Sequence, residues 1–272
     1  MHAVTGLAPR VSLHIPWDEV DDYAALSAHA KEHGVRIGAI NANLFQDEDY
    51  KLGSLTHADA RVRAKAVAHH VECVTVMREV GATDLKIWLP DGTNYAGQDS
   101  LRARQDRLAE SLARIYAALD DDHRLLLEYK FFEPYFYATD IPRLGAPRCC
   151  TASRSGSGPR SCSTPATTPP GTNIEFIAMQ LLRAGRLGAF DFNSRYYADD
   201  DLIVGSADPF QLFRILHEIV SAEAHRPASG VNFMLDQCHN IEEKIPGQIR
   251  SVLNVEQALA KALLVDSAAL AA

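Results

Sequence analysis

The strongest constraint in this sequence is a repeated alternation of short apolar runs with longer stretches of helical period. Val11–Ile15 (VSLHI), Arg36–Asn41 (RIGAIN), Asp84–Leu89 (DLKIWL), Arg124–Lys130 (RLLLEYK), Gly188–Asn193 (GAFDFN) and Val231–Asp236 (VNFMLD) read as strands. Between them Asp18–His33, Ala58–Val80, Ser100–Leu119, Asn173–Ala184 and Pro209–Ala224 carry helical spacing. Gly34 and Gly81 stand just past two of these helices, and Pro209 opens a third. A last helical stretch is expected from about Gln248 to the end, after the Pro246-Gly247 breaker. Strands this apolar need cover on both faces, so the predicted class is α/β, a parallel sheet clothed in helices.

The sheet is expected to close on itself. No Gly-x-Gly-x-x-Gly motif or P-loop follows any strand, which removes support for a dinucleotide or NTP fold. Polar residues gather instead where the strands end: His14, Asn41, Trp88, Glu128, Asp191 with Asn193, and Asp236. The C-terminal strand ends of a TIM barrel build its active site. Polar groups from six strands favour that barrel over an open sheet, whose ligands sit at one switch point. The chain has 272 residues, 47% of them hydrophobic, enough for one large α/β domain or two small ones. Its net charge of −8 argues against a nucleic-acid or anionic-membrane partner. No run approaches the ~18 apolar residues of a membrane span, and the N-terminus lacks a signal-peptide core. The expectation is a cytoplasmic protein whose five cysteines are reduced thiols.

Strand alternation sends Glu128 and Lys130 to one face, as it does Asp191 and Asn193. The first pair is equally read as a salt-bridged strand end, and Asp236 equally as a helix N-cap. Three carboxylates aimed at one mouth repel one another unless a cation joins them, and oxygen donors favour Mn²⁺ or Mg²⁺. The run Asp199-Asp200-Asp201 is either a solvated acidic loop or, through Asp199 and Asp201, a second cation site. Trp88 is a sugar-stacking aromatic or a core residue. His57, His69 and His70 lack zinc-site spacing and read as surface or packing residues, and Cys238 has no addressed histidine partner to make it a nucleophile.

Seven stretches carry a resemblance: VSLHIPWDEVDDY, INANLFQDEDYKLGSLTH, KIWLPDGTNYAGQ, LEYKFFEPYFY, PGTNIEF, FDFNSRYYADDDL and MLDQCHNIEEKI. In this order they resemble the L-rhamnose isomerase family of xylose isomerase-like barrels, from about Val11 to Leu270. The resemblance implies a single (β/α)8 TIM-barrel domain over 1–272, two divalent cations per subunit (Mn²⁺, or Mg²⁺ or Co²⁺), and conversion of L-rhamnose to L-rhamnulose by a C1–C2 hydride shift. It implies that Glu128, Asp191 and Asp236 ligate the first metal and that Asp199 and Asp201 ligate the second and assist proton movement. It further implies that Lys130 polarises the substrate and that Trp88, His14 and Asn41 contact it. The partners implied are a small sugar and, for the intact family, a homo-tetramer. Other sugar isomerases or epimerases of the same fold, or a non-catalytic barrel remnant, stay open as readings. Relative to the family the chain begins just before the second strand and stops short of a C-terminal extension, so an incomplete barrel is expected.

One segment departs from everything around it. Residues 143–170, RLGAPRCCTASRSGSGPRSCSTPATTPP, hold three cysteines and almost no large apolar side chain. The family expects there a helix, an apolar strand and Asp-x-Gly-His-His-Ala-Pro, two of whose residues are metal ligands. Codons such as TCG ACA CCG GCC ACC ACG encode Ser163–Thr168 and, moved on by two bases, read Asp-Thr-Gly-His-His. Carried upstream to Ala146, the shifted reading is TALLHCLALGERAKVVLDTGHHA, in the expected order. Compensating frame changes near Arg143 and Pro170 account for it, against the alternative of a Ser/Arg/Gly-rich linker insertion. As printed, the segment is expected to form an exposed loop in place of a central strand, leaving six strands, exposed sheet edges and two missing metal ligands. Thr164, Thr167 and Thr168 then mark where an Asp and two His belong.

Overall fold

A computed structural model describes residues 1–89, 91–93, 95, 97–128, 130, 160–163, 167–238 and 241–271. Most of the aberrant segment, with Cys149, Cys150 and Thr164, lies outside the described residues, as do His239 and Asn240. The chain divides into two compact units, Pro9–Arg160 and Ser161–Ala272 joined by Met1–Ala8.

In the first unit four strands pair in parallel and in chain order: β1 (Arg10–Ile15), β2 (Arg36–Ala42), β3 (Asp84–Trp88) and β4 (Arg124–Glu128). Helices α2 (Tyr23–Glu32), α3 (Ala60–Val80) and α4 (Leu101–Ala118) connect them; the short α1 (His2–Thr5) belongs to the second unit. Each connecting helix starts on a side chain that caps an orphan amide: Asp22 accepts from Ala25 N, Asp59 from Arg61 N and Ser100 from Ala103 N. Helix α3 ends at Gly81, whose φ of 72° is left-handed backbone. Its buried residues Ala66, Val67, His70, Cys73, Val74, Met77 and Val80 follow the three-and-four spacing of one face. They pack into a core with Ile40, Leu85, Ile87, Leu108, Leu112 and Leu125. At the N-terminal ends of β3 and β4, Arg124 makes two bonds of 2.7 Å to the buried Asp84, fixing the register that pairs those two residues.

In the second unit β5 (Arg160–Ser163), β6 (Leu187–Phe192) and β7 (Asn232–Leu235) pair in parallel. Helix α5 (Ile174–Arg183) packs on α6 (Pro209–Ser221), and α6 on α7 (Lys244–Leu263); α8 (Ser267–Ala271) follows. Phe190, Phe192, Val204, Ile215, Leu216, Ile219 and Ala258 form the core beneath them.

Two sequence expectations need correction. Pro246 and Gly247 do not precede the last long helix; they lie in its first turn, where a missing amide hydrogen costs no helical bond. The low-complexity segment does not replace the central strand outright. Arg160–Ser163 is a strand, with Cys162 and Ser163 buried against β6, and Thr167 and Thr168 are buried beyond it. Pairing uses the main chain, and Cys is small and apolar enough to sit in a core. The shifted reading places the strand KVVLD over this same stretch, between positions 159 and 164. Seven strands are therefore described, not six.

His70 supplies a test of the first unit's packing. It is wholly buried, its Nδ1–H donates to Ala66 O at 2.7 Å, and its Nε2 meets no hydrogen-bond partner among the described residues. Burial pushes its pKa down to about 4. A depressed histidine pKa means the unfolded chain binds the proton first, so this contribution is complete above pH 6.5 and is lost as pH falls toward 4. Thermal unfolding between pH 4 and 8 should show a loss of up to ~3 kcal/mol that the His70→Gln variant lacks.

Candidate active site

The register of the first unit builds a polar row across one face of the sheet. Paired residues of parallel strands point the same way, and the pairs are His14↔Asn41, then Asn41↔Lys86, then Lys86↔Leu126. One step nearer the C-terminal ends, Trp88 pairs with Glu128 on that same face. Four sequence-predicted residues, His14, Asn41, Trp88 and Glu128, therefore stand together, and Lys86 joins them. Glu128 is 4% exposed and its Oε2 lies 2.8 Å from Lys86 Nζ. Lys130, two residues beyond Glu128, is fully buried. Glu128 is thus ion-paired, but the partner shown is Lys86 of the neighbouring strand, where the sequence suggested Lys130 of its own strand end. Sequence reasoning passed over Lys86, although a lysine between Leu85 and Ile87 in a strand was its signal.

Aromatic rings wall this row at the strand exits. His14 stacks on Trp17 at 4.1 Å, Trp17 meets Phe45 edge-on at 5.7 Å, and Phe45 meets Trp88 edge-on at 5.2 Å. Trp17 Nε1–H donates to Gln46 Oε1, and Asn43 Nδ2–H donates to the same oxygen, tying the β1 and β2 exits together. Trp17 is 55% exposed and Phe45 39%. A large apolar face open to water beside polar groups suits a sugar ring, whose C–H face stacks while its hydroxyls bond. Trp17 and Phe45 were missed because they lie in loops, outside any periodic pattern.

The second unit contributes carboxylates. Asp191, wholly buried, pairs with Met234, so Asp191, Asn193 and Asp236 share one face of β6 and β7. Asp236 N donates to Phe192 O at 3.1 Å, which carries the ladder one step past both strands. In the acidic run the three aspartates do different work. Asp201, at φ 48°, accepts from Asn193 Nδ2 at 2.7 Å and, through its carbonyl, from Cys238 N at 2.9 Å, linking the two strand exits. Asp200 gathers the amides of Tyr196, Tyr197 and Ala198; burial raises its pKa, but these bonds outweigh that and hold it below the usual carboxylate value. Asp199 is half-buried. Of the residues set aside, His57 caps a loop by accepting from Asp59 N, His69 lies 3.2 Å from Ile15 O, and Cys238 is exposed.

Glu128 in the first unit and, separately, Asp191 in the second are buried carboxylates near strand ends; such charges are either paired, as Glu128 is with Lys86, or bound to a cation, and oxygen donors favour a hard divalent one. No family model matches the chain. It is 39% identical over 98% of its length to a probable sugar isomerase of Rhizobium meliloti and 38% identical, again over 98%, to one of Mesorhizobium japonicum. It spans 64% and 63% of the length of those two relatives. Across 64% of the chain it is 30% identical to a xylose isomerase of Thermus thermophilus, of which that match covers 47%. Among solved structures, a D-tagatose 3-epimerase-like protein superposes with a TM-score of 0.72 at 12% identity, over 96% of this chain and 92% of that one. An L-ribulose 3-epimerase gives 0.65 at 16% identity, over 94% and 87%. The fold is the one these proteins share, and its parallel strands and covering helices fit an incomplete (β/α) barrel. Among the described residues no helix is long and apolar enough to cross a membrane.

The chain's two tryptophans both belong to the aromatic wall, so its tryptophan emission reports on that wall alone. Iodide should quench the exposed Trp17 strongly, and the Trp17→Phe variant should lose most of that quenching while its unfolding temperature stays nearly unchanged.

Proposed function

We propose that this chain is the barrel of a metal-dependent sugar isomerase that interconverts an aldose and a ketose, with L-rhamnose and L-rhamnulose as the pair. The observation that carries the reading is the set of acidic side chains at strand ends, Glu128 and Asp191 buried, in a chain similar along nearly its whole length to probable sugar isomerases. Glu128, Asp191 and Asp236 would hold one divalent cation, and Asp199 and Asp201 a second. When bound, these cations act as Lewis acids on the sugar oxygens. The aromatic wall of Trp17, Phe45 and Trp88 takes the ring's apolar face, with His14 and Asn41 beside it. Hydrogen moves with its electron pair from C2 to C1. The C2 hydroxyl proton passes to O1, so the aldehyde becomes an alcohol and C2 the ketone, with no other reactant. Lys130 offsets the charge that develops on O1, and Asp199 and Asp201 lie on the proton's route.

The printed chain lacks the ligands that the resemblance implies at Thr164 and Thr167, so its own turnover is proposed to be low. That strand β5 forms where the shifted reading puts KVVLD supports a gene whose uninterrupted frame encodes the metal motif. The test compares the chain as printed with one carrying the shifted reading from Ala146 to Thr168, each incubated with MnCl₂ and L-rhamnose and followed by NMR. The restored chain should form L-rhamnulose at least about 100-fold faster, since even supporting groups around a metal are worth 10–100-fold. Equal rates would remove the impairment, and exchange at C3 of a ketohexose without rhamnose turnover would favour an epimerase.

A further inference from the structure

Lys86 stands mid-strand in β3 between Leu85 and Ile87, both fully buried. Its side chain is 7% exposed, and that of Glu128, 2.8 Å away, is 4% exposed. Taking both charges out of water is unfavourable, and a mid-strand position calls for an apolar residue, so local stability does not account for a lysine there. The register shows what its length achieves. Lys86 pairs with Leu126, whereas Glu128 pairs with Trp88, so the ammonium reaches diagonally one step toward the C-terminal strand ends. The charge originates in the middle of the sheet and is delivered at the level of the candidate ligand.

We propose that Lys86 is a positioning residue: a built-in counter-cation that holds the Glu128 carboxylate in place when no metal is bound and occupies its Oε2. The proposal rests on the reading of Glu128 as a metal ligand. Lys86→Met keeps the length and bulk of the side chain and removes only the counter-charge. The folded, metal-free chain then carries a buried carboxylate that has lost this counter-charge, which a divalent cation replaces. Stability becomes more strongly metal-linked than in the unmodified chain, because a cation bound only by the folded state raises its population.

The experiment measures thermal unfolding of the full chain and of K86M, E128Q and K86M/E128Q, each in EDTA and in MnCl₂, with Mn²⁺ affinity from calorimetry. In EDTA, K86M should melt lowest of the four, and adding E128Q should recover most of the loss. MnCl₂ should raise the melting temperature of K86M more than that of the unmodified chain, and Mn²⁺ should bind K86M about tenfold more tightly, a nearby like charge having been removed. K86M that folds only with MnCl₂ is the extreme form of this result. Equal melting of K86M and K86M/E128Q in EDTA overturns the proposal, as does Mn²⁺ binding that E128Q weakens but K86M leaves unchanged. If Mn²⁺ binds none of the four chains, the ligand reading itself fails and the proposal with it; recovery in EDTA then identifies a purely structural pair.

Discussion

Parallel register is the constraint from which the candidate site follows. In a sheet with side-chain period two, a slip of one residue turns every side chain to the opposite face. The pairing of Asp84 with Arg124, locked by two bonds at the N-terminal ends of β3 and β4, therefore decides that Lys86, Trp88 and Glu128 share a face at the other end. The same logic in β6 and β7 sets Asp191 and Asp236 on one side. All but Asp236, which stands one residue past β7, are held by strands whose other face is bound into a core. That rigidity suits catalysis and metal binding, where small displacements cost much activity.

The element pattern was legible because it rests on local physics. Apolar runs with caps such as Asp22, Asp59 and Ser100 mark strands and helices without reference to anything distant. The polar strand ends were legible too, since a charged residue closing an apolar run is conspicuous. What sequence could not show was what each charge meets. Lys86 reads as an interruption in DLKIWL until the register brings it to Glu128. Trp17 and Phe45 follow no period, and only folding gathers them beside His14 and Trp88. Asp200 is set apart in the acidic run by the backbone amides that the loop turns toward it.

The strand β5 shows the opposite error. Arg-Ser-Cys-Ser has no apolar run, and composition alone argues for a loop. Its main chain nevertheless pairs with β6, and Cys162 takes the buried position. Backbone hydrogen bonding is indifferent to side-chain identity, so a strand can survive the loss of its apolar residues when its neighbour is in place. Thr167 and Thr168 are buried where the resemblance implies imidazoles, so on the proposed reading this segment keeps a strand and lacks the ligands. Family likeness and the competence of this particular chain are thus separate properties, carried by different residues.

On the function proposed above, carboxylates at the strand ends hold a hard divalent cation for sugar chemistry. Anomalous diffraction at the manganese edge from crystals grown with MnCl₂ tests it most directly. The expected result is a manganese peak bonded to oxygens of Glu128, Asp191 and Asp236. A peak confined to exposed acidic residues, or none at saturating MnCl₂, would contradict it.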